Sequence, residues 1–410
     1  MSGVRSHHVA LRAVVLGFVV LIHLVIAVPV LLVAAPQGRR GLQSASQKLV
    51  RGLLVRLGPS FVKGAQILAT RRDLLPPAWC HSLAQLHDRV PPMPARQARR
   101  VLAEAGLPVD AEPVASGSIA CVYKGLAPDG GTVALKVRRP GVERKIRTDF
   151  AVMAAGARVM QLLPPMRRLP ARLMVEQIGA AVSRQTDFGQ ELRTIQALRA
   201  TLADLDHLRI PRPLPELCTD RVLVMEHVDG LDDADPAPEA ARRVLHLVYR
   251  MLFIDGLVHC DMHPGNLYLR PDGTIVLLDA GFVVRLEPKV RALFAEFFLA
   301  MARGDGPRCA DIVHASAAEV APEADLAAFR SGVTALVDDT TGRPASEFSL
   351  VRFAATLFDL QRRHGLFAAP EFVFPLLALL VLEGRINELH ADIDFQAEAI
   401  PVLITALQRS

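Results

Sequence analysis

The chain has few cysteines and none in pairs. Its five, Cys80, Cys121, Cys218, Cys260 and Cys309, are isolated, with no C-x-x-C spacing. That argues against a zinc or disulfide framework and fits a reducing compartment. Aromatic residues make up only 5%. No basic run is interleaved with aromatics, so the net charge of +5 carries no nucleic-acid signature. Internal repeats and long disordered tracts are also absent. What is abundant is Ala, Leu, Val and Arg, which predicts mostly helix. The 410 residues allow a two-lobed domain with extensions, or more than one domain.

Residues Ala13 to Ala35 form an apolar run interrupted by His23 and Pro29. Its length spans a bilayer with some tilt. A secretory signal has a shorter apolar region and a small-x-small cleavage site, which does not stand out here. A buried core helix is disfavoured because the run is apolar on all faces. Arg5 and Arg12 precede it, whereas Arg39, Arg40, Lys48, Arg51 and Arg56 follow. The larger basic cluster puts the C-terminal side in the cytoplasm. Residues 41–108 then read as a helical extension punctuated by prolines. Within it Lys63 and Gln66 are three apart, on one helix face, and can reach one polar partner. A solvated face accounts for the same spacing.

The chemistry concentrates further on. His259-Cys260-Asp261-Met262-His263-Pro264-Gly265-Asn266 has the form H-x-D-x-x-x-x-N, and Asp279-Ala280-Gly281 follows. Asp261 and Asn266 lie on one short loop. A predicted hairpin, Leu267–Leu269 and Ile275–Leu278 around Pro271-Asp272-Gly273, returns the chain to Asp279. Two metal-binding groups, Asn266 and Asp279, thus come from one local unit. Either half alone fits a hydrophobic hairpin with scattered polar residues; the two in order resemble the protein-kinase frame. Cys260 takes the variable middle position and reads as a packing residue.

Upstream, Pro113 to Lys124 turns at Pro128-Asp129-Gly130-Gly131 into Thr132–Val137, predicting two strands with a small-residue loop. In the kinase pattern G-x-G-x-x-G-x-V the register falls on Ala115, Gly117, Ala120 and Val122. Ala115, Ser116, Gly117, Ser118 and Ala120 are small enough for backbone to approach phosphates. Val122 then covers the base, and Lys136, ending a V-A-x-K sequence, contacts the α- and β-phosphates. Residues 138–209 read as long helices. Glu191 is the candidate partner of Lys136, with Glu176 and Asp187 as competitors. The apolar strand Arg221–Glu226 leads into a hinge, where backbone near Glu226 and Val228 would meet an adenine edge. A helix over Arg242–Asp255 presents an apolar stripe at 244, 245, 248, 251 and 252. After Gly281 the expectation is helix to the end, with loops within Ala315–Ser346, which is richer in small and polar residues. Phe372–Leu382, broken by Pro375, is too short for a second span and reads as a buried helix.

From about Leu57 to Ile400 the chain resembles the UbiB/ABC1/ADCK, or AarF-domain, family of atypical kinases. The resemblance rests on Leu57-Gly58-Pro59 through Lys63-Gly64-Ala65-Gln66, Asp88-Arg89-Val90-Pro91, the loop at Ala115–Ala120 and Val137-Arg138-Arg139-Pro140-Gly141-Val142. His259 through Asn266 and Leu382-Glu383-Gly384 complete it. It implies an α+β, bilobal protein-kinase-like fold with an N-terminal helical extension and a mostly helical C-lobe; one N-terminal transmembrane helix is added here. The segments are then 1–40 membrane segment, 41–108 extension, 109–228 N-lobe with inserted helices, and 229–410 C-lobe. It implies ATP and Mg²⁺ as cofactors, with Asp261, Lys136 and Glu191 as catalytic residues and Asn266 and Asp279 on the metal. It also implies a regulatory extension using Lys63, Gln66 and Asp187.

The associated biology is isoprenoid quinone biosynthesis, with membrane lipids, isoprenoid molecules and membrane-bound biosynthetic enzymes as partners and no nucleic acid. The expected location is the cytoplasmic membrane. The chain departs from the family pattern in four places, one of them Ala280 at the position of the D-F-G phenylalanine. Ala65 replaces the K-x-G-Q glycine, Gln185-Thr186-Asp187 lacks the Glu of E-x-D, and Gly117 interrupts the alanine-rich loop. The polar lock over the site is therefore expected to be weaker. A nucleotide-binding scaffold and a small-molecule phosphotransferase are the alternatives. A conventional protein kinase fits less well, because no A-P-E segment follows.

Overall fold

The computed structural model describes residues 6–70, 75–86, 91–107, 112–161, 171–231, 238–262, 265–341, 348–389 and 393–409. The Asp88-Arg89-Val90 and His263-Pro264 parts of the sequence motifs lie outside these residues. Two compact units divide the chain. The first comprises 1–190 with 214–224, the second 191–213 with 225–410.

The first unit opens with α1 (Ser6–Ala34), a 3₁₀ turn at Ala35–Gln37 and α2 (Gly38–Leu57). α1 is apolar and long enough to cross a membrane, with a mean hydropathy of 2.9 over its most apolar stretch. It is not isolated. Leu16 packs with Leu57 and Phe61, and Val152 and Met153 cover the same cluster. The two polar residues within or beside the apolar run face protein. The Arg12 guanidinium pairs with the fully buried Asp149 at 2.6 Å, and the buried His23 ring nitrogen lies 2.7 Å from the Leu49 carbonyl. The helices α3 (Pro59–Thr70), α4 (Pro77–Ala84) and α5 (Ala95–Glu104) complete the extension. Prolines at the first turns of α3 and α4 cost no hydrogen bond there.

Next come β1 (Pro113–Ser116), β2 (Ala120–Leu126) and β3 (Thr132–Arg138), then α6 (Val142–Met160) and α7 (Ala171–Arg184). Where the sequence predicts two strands there are three. The run Pro113 to Lys124 folds back on itself through 117–119, because the small Gly117 and Ser118 let the turn close: the Gly117 N–H donates to the Ala120 carbonyl at 2.9 Å. α8 (Phe188–Thr201) begins in this unit, β4 (Leu208–Arg209) lies in the second, and β5 (Val222–Glu226) closes the sheet in the order β1-β2-β3-β5. Tyr123, Val133, Leu135, Val137, Val222 and Val224 form the sheet's core face against Val101 and Leu102 of α5.

In the second unit α9 (Pro238–Tyr249), with the turn that continues it, buries Val244, Leu245, Val248, Met251 and Leu252, the stripe that periodicity predicts. Its last turn, Arg250–Asp255, is π-helical. Arg250 braces that turn through Asp204 at 2.7 Å and Asp255 at 3.1 Å. Gly256 ends it at φ 65°, a left-handed conformation that favours glycine. β6 (Leu257–His259), β7 (Leu267–Leu269), β8 (Ile275–Leu277) and β9 (Val283–Arg285) follow. β7 and β8 form the predicted antiparallel hairpin, with β4 added parallel to β8.

The remainder is α10 (Pro288–Ala302), α11 (Gly306–Ala315), β10 (Ala317–Val320), α12 (Leu326–Thr340), α13 (Leu350–Arg363), β11 (Leu366–Ala368), α14 (Pro370–Leu389) and α15 (Phe395–Arg409). Expected helix to the end is thus interrupted by β9, β10 and β11. β9 pairs with β6, and β10 with β11, so each short strand finds a partner for its backbone groups. α14 continues through Pro375 and buries Phe372, Val373, Phe374, Leu376 and Leu379, as a core helix should.

Candidate functional site

In the first unit the sheet sorts the expected residues by face. Successive side chains on a strand alternate sides. Cys121, Tyr123, Leu135 and Val137 point into the core. Ala115, Val122 and Lys136 are register partners across β1, β2 and β3, so they share the opposite face, as does Ala120, paired with Arg138 at the root of the loop. Ser116, Gly117 and Ser118 form the tip, which Arg139 pins. Its guanidinium donates to the Gly117 carbonyl at 2.9 Å, the Pro91 carbonyl at 2.7 Å and the Ser116 hydroxyl at 3.0 Å.

One neighbour escaped the sequence reading. The Lys136 ammonium sits 5.6 Å from the centre of the buried Phe188 ring, and the Arg138 guanidinium 5.9 Å from it. Cations over an aromatic face are favoured electrostatically. Its sequence signal is slight: Phe188 directly follows Asp187, the N-cap of α8. Asp187 accepts the Gln190 N–H at 2.8 Å, the work of a helix cap. Lys63 and Gln66 do not meet on one partner. Gln66 donates to the Leu86 carbonyl at 3.0 Å, because the end of the α4 segment passes over it. Lys63 makes no ion pair or hydrogen bond among the described residues.

In the second unit the H-x-D-x-x-x-x-N frame is knit together by one histidine. His259 is fully buried. Its Nε2 meets the Asp279 carbonyl, and its Nδ1 accepts the Asp261 N–H at 3.3 Å. The Asn266 amide donates to the Asp261 carbonyl at 2.9 Å, and the Asn266 carbonyl accepts the Leu278 N–H at 2.9 Å. Asp261, Asn266 and Asp279 are thereby held by a single network. The Gly281 N–H donates to Asp279 Oδ1 at 2.6 Å. A Cβ on Gly281 would lie 2.9 Å from that oxygen and 3.7 Å from Glu191 Oε2. The buried Glu191 carboxyl therefore stands beside Asp279-Ala280-Gly281. Cys260 packs at half burial with its thiol on the Val258 carbonyl.

The hinge needs one correction. The Glu226 N–H donates to the Arg212 carbonyl at 2.8 Å and is not open to an adenine. β5 still pairs there with the 212–213 strand-like run, which occupies that donor. Burial pushes the Glu226 carboxyl up, but the Arg209 guanidinium and the Arg212 amide outweigh it and hold it below the usual range. The N–H of the buried Val228 has no backbone partner among the described residues.

The donors fit magnesium. Mg²⁺ takes hard oxygen ligands, commonly one or two carboxylates plus phosphate oxygens and water. With its amide N committed to Asp261, Asn266 keeps its side-chain oxygen, which has no partner among the described residues, and Asp279 supplies a carboxylate. Those residues hold no group of three His, Cys, Asp or Glu that could bind a metal unaided.

Sheet, loop and network together describe a protein-kinase-like fold. A model of the ABC1 atypical kinase-like domain matches residues 85–313, and the chain belongs to that family. It is 33% identical over 390 residues to the probable protein kinase UbiB of Aeromonas salmonicida, covering 88% of this chain and 71% of that one. It is likewise 33% identical over 383 residues to the probable protein kinase UbiB of Marinobacter nauticus, covering 87% and 70%. Among solved structures it is similar to Rv3197 of Mycobacterium tuberculosis, determined with erythromycin. There the TM-score is 0.51 at 18% identity, over 85% of this chain and 96% of that one. At that identity the likeness bears on the fold alone.

Proposed function

We propose that the protein is a membrane-anchored atypical kinase or ATPase that uses Mg-ATP in isoprenoid lipid biosynthesis or its regulation. The observation that carries this reading is the His259 network, which joins Asp261, Asn266 and Asp279 through backbone and side chain. Phosphoryl transfer needs little covalent help from protein; positioning and charge neutralisation suffice. Asn266 and Asp279 hold the metal, which when bound neutralises charge on the phosphates. Lys136, with Phe188 beneath it, holds the phosphates, and Glu191 steadies that lysine. Val228 offers its N–H to the adenine edge. Asp261 orients or deprotonates the acceptor, a water or a lipid-linked molecule. The link to ubiquinone-like lipids is carried by the name of the UbiB relatives.

α1 is the anchor in this reading. Its outward side chains Leu11, Val14, Phe18, Leu21, Val25, Val28 and Leu32 are exposed and apolar. The basic residues of α2 favour a cytoplasmic kinase-like region.

The test is phosphate release from ATP by protein in lipid vesicles, with and without Mg²⁺, for wild type and Asp261→Asn. Mg²⁺-dependent release that the substitution removes supports an enzyme. No release, with Mg-ATP still raising thermal stability, replaces it with a nucleotide-gated scaffold.

A further inference from the structure

The first unit contains a cavity of about 230 Å³ behind the tip of the small-residue loop. Lys63 and Ser60 of α3, Ser118 of the loop, Arg139, Gly141 and Lys145 line it, together with apolar residues. Three cations face it and no carboxylate does. Lys63 and Lys145 have neither an ion pair nor a hydrogen bond among the described residues. Arg139 spends its donors on two carbonyls and a hydroxyl, all neutral. The positive charge is thus uncompensated. The nearest acid on the same helix, Glu143, turns to Arg138 and Arg147 instead.

Two further observations point to a ligand. Ser60 and Ser118 are 3% and 6% exposed, line the cavity, and have hydroxyls with no partner among the described residues. Buried polar groups are normally hydrogen-bonded. α6, 19 residues long, starts at the cavity wall with Gly141 as its N-cap and no side-chain cap. The Val142 N–H turns back to the Arg139 carbonyl at 3.2 Å, which leaves the next first-turn N–H groups and the positive end of the dipole to an anion.

We propose that this cavity binds a phosphate-class oxyanion, held by Lys63, Lys145, the Ser60 and Ser118 hydroxyls and the N-terminus of α6. Its volume falls below the roughly 300–1,000 Å³ of ordinary ligand pockets, so it admits a phosphate with a small substituent rather than a nucleotide. Neither Lys136 nor Val122 lines it. The site shares Ser118 with the small-residue loop but stands apart from Lys136 and Val122, and the anion it holds is independent of the nucleotide assigned to them. Its consequence is mechanical: an anion there ties α3 of the extension to the loop tip that Arg139 already pins.

The experiment is calorimetric titration of the full-length protein in detergent with inorganic phosphate, without nucleotide. Wild type should bind saturably. Lys145→Gln and Ser60→Ala should each weaken binding, the lysine change by about tenfold or more, because a charge-assisted bond is lost. Lys145→Arg and Lys136→Met should bind as wild type does, with unchanged melting curves certifying each fold. Binding lost in Lys136→Met but kept in Lys145→Gln would move the phosphate to the nucleotide site and overturn the proposal. Flotation on phosphatidylcholine vesicles with and without phosphatidic acid identifies the source. A phosphatidic-acid-dependent gain that Lys145→Gln removes marks a lipid headgroup; solution binding without that gain marks free phosphate. No saturable binding in either format also overturns it.

Discussion

The buried Glu383 gives a stability prediction that can be worked through. It lies on α14, 1% exposed, and its two carboxylate oxygens accept the Leu350 and Val351 N–H groups at 2.6 Å each. Those are first-turn donors of α13, which have no partner inside their own helix. Glu383 therefore caps a neighbouring helix with a full charge placed on the positive end of its dipole. Glu383→Gln keeps one acceptor but turns an NH₂ toward the second N–H. One charge-assisted bond is lost and one buried donor is left unmade, about 2–4 kcal/mol together. The second unit is roughly 200 residues long. At that size about 1 kcal/mol moves the midpoint by about 2–4 °C, so a fall of about 4–16 °C is expected. Scanning calorimetry measures it. Ser349→Ala is the comparison, since Ser349 caps the same helix through the Arg352 N–H at 3.3 Å and should cost only about 1 kcal/mol. A Glu383→Gln midpoint no lower than that of Ser349→Ala refutes the reasoning.

Other outcomes follow from single contacts. Gly281→Ala puts a methyl 2.9 Å from Asp279 Oδ1, so Mg²⁺-dependent turnover should fall while the melting midpoint moves by less than about 2 °C; equal turnover in the two proteins counts against the assigned role of Asp279. Gly117→Ala meets only the Ala120 carbonyl at 3.6 Å, and Gly117 is not in a left-handed conformation, so the variant should gain about 0.4–1 kcal/mol in denaturant titrations. If the glycine loosens the loop, autophosphorylation should be greater in wild type than in Gly117→Ala. Burial pushes the Tyr123 phenol up to about 12, with the Cys121 charge adding to it. A raised value means stability is whole below tyrosine's ordinary value and declines as pH rises toward 12. Tyr123→Phe should lose less stability than wild type between pH 10 and 12, and parallel losses contradict the assignment.

The Asp261–Asp279 half of the candidate site was legible because its logic is local. His259, Asp261 and Asn266 lie within eight residues, and an Asp-Gly turn between two apolar runs fixes the return to Asp279. Periodicity found the α9 stripe for the same reason. What it missed was long-range. No pattern near Lys136 announces Phe188, fifty-two positions away, because the contact depends on where α8 begins. Lys63 and Gln66 share a helix face, yet Gln66 is taken by the end of the α4 segment while Lys63 faces a cavity. The loop split into two strands because strand length is set by which partner backbone is available, and β2 had β3 beside it along its whole length. The π-turn at the end of α9 leaves no signature in spacing; it rests on Arg250 reaching Asp204.

The N-terminal helix shows how one sequence feature divides between two jobs. The polar residues in and beside its apolar run, Arg12 and His23, look like defects in a membrane segment. Both are spent on protein: Arg12 on the buried Asp149 of α6, His23 on the Leu49 carbonyl of α2. Leu16 lies on the same side, packed with Leu57. The opposite stripe, at 11, 14, 18, 21, 25, 28 and 32, advances by three and four residues and carries only apolar side chains, all exposed. A polar group facing hydrocarbon is costly unless it is satisfied. In the anchor proposed for α1, folding α2 and α6 against one face would remove that cost and leave an outward face with nothing to desolvate. The charge that makes α1 look imperfect as a span is therefore the group that fixes it to the first unit, and the pairing with Asp149 runs through the helix that follows the Lys136 strand.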